Sequence, residues 1–167
     1  MIPYFTRFFL YSALLILLQS LIFDQINLFG FSNPMVYVLL FITYRFNLDQ
    51  FNFILIGFAV GLTLDLLTQT AGGHTIASLS IVFLRPVIIR FALGSNYDIP
   101  NAIYTGVRWP NRMLYILLML LIHQLIFSLI AFFSLAHFWT VIQYTIVNTI
   151  FSFILIVAIL NLMSSQK

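Results

Sequence analysis

Long apolar runs, closed by charged residues, glycine or proline, dominate the pattern of this chain. A helix needs about 20 mostly apolar residues to cross a bilayer core roughly 30 Å thick. Six runs approach or exceed that length, at residues 8–23, 28–44, 51–67, 76–91, 113–133 and 138–163. None alternates polar and apolar residues as the strands of a membrane barrel do. The pattern predicts an all-α, polytopic membrane protein with six transmembrane helices in one domain over residues 1–167.

The first two runs are the least regular. Arg7 precedes the first run and no small-x-small cleavage site follows it, so we expect a retained anchor. Gly30, Asn33 and Pro34 interrupt the second run, although Pro34 suits the first turn of a helix. The second run therefore predicts either a short span or an interfacial start followed by a short span.

Composition removes several classes of protein. The chain is 62% hydrophobic and 7% charged, with a mean hydropathy of +1.08, whereas soluble domains carry about 25% charged residues. A water-soluble monomer is excluded. The absence of cysteine excludes a disulfide framework, a thiolate metal site and a nucleophilic cysteine. A net charge of only +3 is weak support for binding nucleic acid.

Basic residues predict the orientation, because they collect on the cytoplasmic side of a membrane protein. Six spans with a cytoplasmic N-terminus place all seven on that side: Arg7, Arg45, Arg85, Arg90, Arg108, Arg112 and Lys167. The best five-span alternative moves Arg7 to the other side. The rule therefore favours six spans with both termini in the cytoplasm.

Gly57, Gly61 and Asp65 recur every four residues and so share one face of the third span. Glycines at this spacing let a neighbouring backbone approach closely. The stripe predicts either a packing seam within the chain or an interface with a partner's helix.

Asp65 is a carboxylate inside a span, which is costly unless it is paired, hydrated or functional. We expect it to accept hydrogen bonds from the first turn of the fourth span. Binding of a cation, proton or polar ligand, and direct contact with a partner, are the alternatives. Gly72 and Gly73 predict a tight turn before the fourth span. His74 follows, and we expect its neutral ring to bond Asp65 rather than a metal.

Arg85 and Arg90 lie in the second half of the fourth span, and Arg108 and Arg112 follow in the connection at residues 92–112. We expect Arg85 and Arg90 to extend to the cytoplasmic headgroups, with a specific protein contact as the alternative. The connection either lies along the inner membrane surface or docks on a partner. Further polar residues at depth are expected to hydrogen-bond between helices: Gln19, His123, Gln124, Gln143 and Asn148.

Catalysis finds little support in the sequence. The chain has no glutamate, no G-x-S-x-G or H-E-x-x-H motif and no phosphate-binding glycine loop. We therefore expect no enzyme activity, no cofactor and no metal.

Two motifs, GxxxGLxxDLL at residues 57–67 and GHxIA at residues 73–77, resemble the rod shape-determining protein MreD family. An apolar run headed by Pro34 and ended by Tyr44 and Arg45 is similar to that family's second span. The residue-level resemblance covers about residues 34–85. The interruption at residues 30–33 and the connection at residues 92–112 depart from the family pattern.

The resemblance implies a multi-pass component of the inner membrane that acts in cell-wall elongation and maintains rod shape. It implies association with MreC, and through MreC with MreB, RodA and penicillin-binding protein 2. It also implies a fold similar to the substrate-binding component of energy-coupling-factor transporters. The motif positions that it carries over are Gly57, Gly61, Asp65, Gly73 and His74.

Two functions remain open at this point. The first is a scaffold that binds partner membrane proteins by helix packing, with a homodimer also conceivable. The second is a vitamin-like small-molecule binding or transport component. It would need a polar, outward-opening pocket around Asp65 and His74.

Overall fold

The computed structural model describes residues 4–26, 33–45, 49–94, 107–133 and 137–164. Within these ranges the chain forms helices and no strands. The elements are α1 (Tyr4–Leu18), continued by a π-helix (Gln19–Phe23); a 3₁₀ turn (Val36–Val38) leading into α2 (Leu39–Thr43); α3 (Gln50–Thr68); α4 (Gly73–Leu93); α5 (Trp109–Phe132); and α6 (Phe138–Ser164). The all-α prediction is confirmed for the described residues.

Four of these helices, α3 to α6, are long and apolar enough to cross a membrane. They have 19, 21, 24 and 27 residues, which at 1.5 Å per residue gives lengths of about 28 to 40 Å. They coincide with the third to sixth predicted spans, and their ends differ from the predicted ends by no more than four residues. Hydropathy therefore located these helices correctly.

The bundle has two chemically distinct ends. We call one the arginine end, because Arg85 and Arg90 in the last part of α4 lie there beside the start of α5. We call the other the aspartate end, because Asp65 lies there at the turn between α3 and α4. Phe8 contacts Tyr44 with ring centroids 5.4 Å apart, which places the start of α1 at the arginine end.

Two shorter parts of the described chain pack beside α3 to α6. The first is α1 with its π-helix, of which the apolar part is the stretch Phe8–Phe23. The second, at residues 33–45, is not a continuous helix. Among the described residues its helical part covers residues 36–43, about 13 Å of rise, whereas a hydrocarbon core is roughly 30 Å thick. The described residues of the second predicted run thus form a broken segment, residues 33–45, with a short helical part.

This broken segment is the most buried part of the described chain. Tyr37 and Val38 are 0% exposed, and Phe41 and Ile42 are likewise fully enclosed. Tyr37 contacts His74 near the start of α4, and the carbonyl of Tyr44 contacts Arg85 near its end. The segment therefore runs alongside α4 through the centre of the bundle.

Side chains from other helices satisfy the backbone at the start of the broken segment, residues 33–37. The Gln19 Oε1 atom accepts from the Val36 N–H at 2.8 Å and the Tyr37 N–H at 3.3 Å, and its Nε2 donates to the Pro34 carbonyl at 3.1 Å. On the opposite side α6 contributes two acceptors. Asn148 Oδ1 accepts from the Asn33 N–H, and Ser152 Oγ accepts from the Met35 N–H, both at 2.9 Å.

These bonds explain why polar residues occupy otherwise apolar helices. A backbone group without a partner costs several kcal/mol in hydrocarbon, so a broken segment at the centre of the bundle requires donors and acceptors from its neighbours. Gln19 and Asn148 bond between elements as predicted, and Gln124 donates to Ser152 Oγ at 3.4 Å. Gln143, predicted to do the same, instead faces outward and is exposed.

We expect Gln19→Leu to lower the free energy of unfolding by about 2 to 4 kcal/mol, because it leaves buried backbone donors and an acceptor without partners. The matched control is Gln143→Leu, the same change at an exposed position, which should be close to neutral. Thermal unfolding in detergent measures both. Equal effects of the two variants would contradict this role for Gln19.

Candidate functional site

The glycine stripe of α3 faces α4. A Cβ atom added at Gly61 would lie 2.5 Å from Thr75 Cα and 2.9 Å from the His74 carbonyl oxygen. A Cβ atom added at Gly57 would lie 3.0 Å from Val82 Cγ2. The two helices therefore touch backbone to backbone at Gly61. Of the two interpretations of the stripe, the structure favours a packing seam within the chain.

Asp65 closes this seam at the aspartate end, where it is 7% exposed. Its Oδ1 accepts from the His74 N–H at 2.9 Å and from Thr70 Oγ1 at 2.5 Å. Its Oδ2 accepts from the Thr75 N–H at 2.8 Å and from Thr75 Oγ1 at 2.5 Å. The expectation that Asp65 accepts from the first turn of the next span is confirmed. The carboxylate satisfies two free N–H groups there, and its charge is favourable at the positive end of the helix dipole.

Gly61 and Asp65 act together in this arrangement. The close approach at Gly61 brings the first turn of α4 against α3, one helical turn before Asp65. The carboxylate can then reach the N–H groups of His74 and Thr75 directly. Gly72 makes the turn itself possible, since its φ of +93° lies in the region that favours glycine.

The sequence predicted a bond between the ring of His74 and Asp65, but only the backbone N–H of His74 makes such a bond. The ring instead points to Tyr37, with 3.1 Å between His74 Nδ1 and the Tyr37 hydroxyl oxygen. The prediction failed because the carboxylate is already saturated by closer donors of the helix terminus. Gly73 has a role of its own here, because an added Cβ would lie 3.1 Å from the ring of Phe127.

A buried polar cluster surrounds the Tyr37 hydroxyl; the bond between elements predicted for His123 is confirmed here, whereas the other members of the cluster were not predicted. Besides His74 Nδ1, this oxygen lies 2.6 Å from His123 Nε2 and 3.2 Å from Ser78 Oγ. The four residues are each 0% exposed. His74 Nε2 and His123 Nδ1 have no hydrogen-bond partner among the described residues. Two histidines inside apolar runs are a signal that a partner exists, but contacts across 37 and 86 residues cannot be deduced from spacing.

Arg85 occupies a position that the sequence analysis assigned wrongly. It is 4% exposed, so it does not extend to the headgroups. Its Nε donates to the Tyr115 hydroxyl at 2.9 Å and its Nη2 donates to the carbonyl of Tyr44. Its guanidinium also lies 4.7 Å from the centroid of the Phe53 ring, in cation–π contact. Arg85 thus joins α4 to the residue that follows α2, to α3 and to α5.

The other three arginines differ from Arg85. Arg90 and Arg108 are exposed at the arginine end, and Arg112 is half-buried in the first turn of α5. The exposed Arg90 and Arg108 thus lie at the same end of the bundle. The predicted surface element of the connection lies mostly at residues 95–106, outside the described residues.

An apolar groove of about 1010 Å³ opens between α1 and α3. It runs from Phe8 and Asp49 at the arginine end to Leu17 and Leu67 at the aspartate end. Neither Asp65 nor His74 lines it. Among the described residues no group of three or more His, Asp or Glu side chains is placed to hold a metal ion.

Comparison with known proteins finds no match for this sequence among models of protein families, curated proteins or solved structures.

We expect Gly61→Ala to destabilise the protein by about 1 to 3 kcal/mol, because its Cβ meets backbone that cannot move without separating the helices. Gly57→Ala should cost less, because its neighbour is a valine methyl group. Adding Val82→Ala should relieve Gly57→Ala but not Gly61→Ala. Unfolding of the single and double variants in detergent measures this difference, and relief of both would argue against backbone contact at Gly61.

We expect Asp65→Leu to cost about 2 to 4 kcal/mol, because the first turn of α4 loses its acceptor. Asp65→Asn should be milder, since its amide oxygen still accepts. Its NH₂ group cannot accept, so the donors that face that side lose their acceptor. Asp49→Leu is the control: Asp49 caps α3 from an exposed position with a single bond to the Phe51 N–H, so about 1 kcal/mol is expected. Thermal unfolding compares the three, and similar losses for Asp65→Leu and Asp65→Asn would contradict this account.

Proposed function

We propose that this chain is a multi-pass scaffold of the bacterial inner membrane that binds partner membrane proteins by helix packing. In this proposal it crosses the membrane six times, the second time as the broken segment. Both termini are cytoplasmic and the arginine end faces the cytoplasm. Four long apolar helices are compatible with a multi-pass membrane protein, and the exposed Arg90 and Arg108 share one end of the bundle.

The observation that carries the scaffold proposal is the state of the polar groups inside the bundle. Both oxygens of Asp65 are occupied by donors of the chain itself. Gln19 and Asn148 hold the broken segment, and Arg85 joins four elements. Polar side chains used in this way stabilise a rigid body that can present surfaces to partners.

The cellular role rests on the resemblance of residues 57–67 and 73–77 to the MreD family. We propose that the chain contributes to rod shape through the cell-wall elongation machinery, with MreC as its direct partner. MreB, RodA and penicillin-binding protein 2 would be reached through MreC. The mutual fit of Gly61, Asp65 and the first turn of α4 gives this motif a physical reason.

The alternative, binding of a vitamin-like molecule, requires a polar pocket open at the aspartate end. Two observations weigh against it: Asp65 has no oxygen left without a donor, and the His74 side chain is 0% exposed. The groove between α1 and α3 is mainly apolar and opens along the side of the bundle. The scaffold proposal requires no such polar pocket.

Depletion of the protein in its native cells tests the proposal. We expect depleted cells to lose rod shape. Expression of Gly61→Leu, which disrupts the seam, should not restore the shape, and MreC should be absent from material purified through this variant. Expression of Leu66→Ala, a change at an exposed position on α3, should restore both shape and co-purification. Normal rods after depletion would contradict the elongation role. Saturable binding of a tritiated vitamin that Asp65→Asn abolishes would favour the alternative.

A further inference from the structure

A partner's helix cannot use the glycine stripe, because α4 already occupies it. We infer that the groove between α1 and α3 binds a single transmembrane helix of another protein, one that carries Lys or Arg at its cytoplasmic end. The orientation in this inference rests on the proposed function, whereas the groove itself does not.

The groove has the dimensions of a helix-binding surface. On α3 its wall extends from Asn52 to Leu67, and on α1 from Phe8 to Leu17. Fifteen residue steps on α3 correspond to about 22 Å, most of a hydrocarbon core roughly 30 Å thick. A helix of about 10 Å diameter lying there would bury a stripe along both walls.

Small side chains occur on both walls of the groove at mid-length, between bulkier apolar residues. Ser12 and Ala13 line it on α1, and Ala59 and Thr63 line it on α3. The hydroxyls of Ser12 and Thr63 donate to carbonyls four residues earlier, at 2.8 and 2.7 Å, so they need no further partner. Small residues at such positions allow close approach of a helix backbone.

The outer face of α4 shows what a surface without this feature looks like. Phe83, Val87 and Phe91 there are 63 to 72% exposed and all are bulky. Flexible acyl chains can cover such a surface equally well. The concentration of small residues in the groove therefore favours a helix over a lipid tail as its occupant.

Charge at the mouth of the groove selects the kind of helix. Asp49 lies there, exposed, at the arginine end. Membrane proteins carry an excess of Lys and Arg beside the cytoplasmic ends of their spans, so a basic residue flanking the bound helix would meet the Asp49 carboxylate. Charge complementarity of this kind sets orientation and selects partners.

Site-specific photo-crosslinking tests the inference. The chain has no cysteine, so Ala59→Cys in the groove and Phe58→Cys beside it each give a unique attachment point for a short photoreactive group. Both positions are exposed at the same depth, but Phe58 does not line the groove. In native membranes we expect Ala59→Cys to capture the apolar span of a single-span protein flanked by Lys or Arg, and Phe58→Cys to capture mainly lipid. Lipid alone or a second copy of this chain at Ala59→Cys, or equal capture at both positions, would overturn the inference.

Blocking and charge variants identify the interaction as specific. With the photoreactive group placed on Thr63→Cys, Ala59→Trp should lower capture by at least about tenfold, the effect of about 1.4 kcal/mol. Phe58→Trp should leave capture within about twofold of the unblocked protein.

The charge pairing is tested by an exchange of charges. Asp49→Lys should lower capture by up to about fivefold, and replacing the captured protein's basic residue by Glu should restore it. Failure of that exchange to restore capture would overturn the charge pairing. Size-exclusion profiles check that each variant is folded.

The outcomes separate this inference from the proposed function. If Ala59→Trp abolishes capture but cells keep their rod shape, the groove binds a helix and the elongation role is wrong. If depletion rounds the cells but Ala59→Cys captures no helix, the elongation role stands and the groove inference is wrong.

Discussion

The requirement that every backbone N–H and C=O find a partner away from water governs this structure. It is met trivially within the long helices. Among the described residues it becomes demanding at the start of the broken segment, residues 33–37, and at the first turn of α4. At the first, Gln19, Asn148 and Ser152 supply the partners. At the second, Asp65 supplies them. Several of the polar residues in a chain that is only 7% charged thus lie where the backbone needs them.

The two faces of α3 illustrate how this constraint divides the surface of one helix. One face carries Gly61 and Asp65 and packs against α4. Gly61 makes the backbone contact, and Asp65 makes the hydrogen bonds. The neighbouring stripe, with Ala59 and Thr63, has its polar atoms satisfied within α3 and faces the open groove. A small-residue pattern alone does not say which of these two situations holds. The difference is that an intramembrane carboxylate needs donors, and the nearest donors belong to the adjacent helix terminus.

Sequence predicted those features that depend on local periodicity. The long helices follow from hydropathy, and the pairing of Asp65 with the start of α4 follows from a four-residue spacing and a short turn. The broken segment could not be predicted in this way, because its stability depends on Asn148, 115 residues from Asn33. The same applies to the Tyr37 cluster, whose members come from the broken segment, α4 and α5. A residue such as Tyr37, inside the apolar part of the second run, gives no local sign of its partners.

Arg85 shows why position along a span is a poor guide to the role of a charged residue. Its place in the second half of α4 fits a side chain that reaches the headgroups, yet aromatic rings and a backbone carbonyl enclose it. Removing such a charge from water is costly unless hydrogen bonds and cation–π contacts compensate. The contacts of Arg85 therefore have a structural purpose that does not require a ligand. The same reasoning applies to Asp65, whose two oxygens are already matched by donors of the chain and which therefore stabilises the bundle without a ligand.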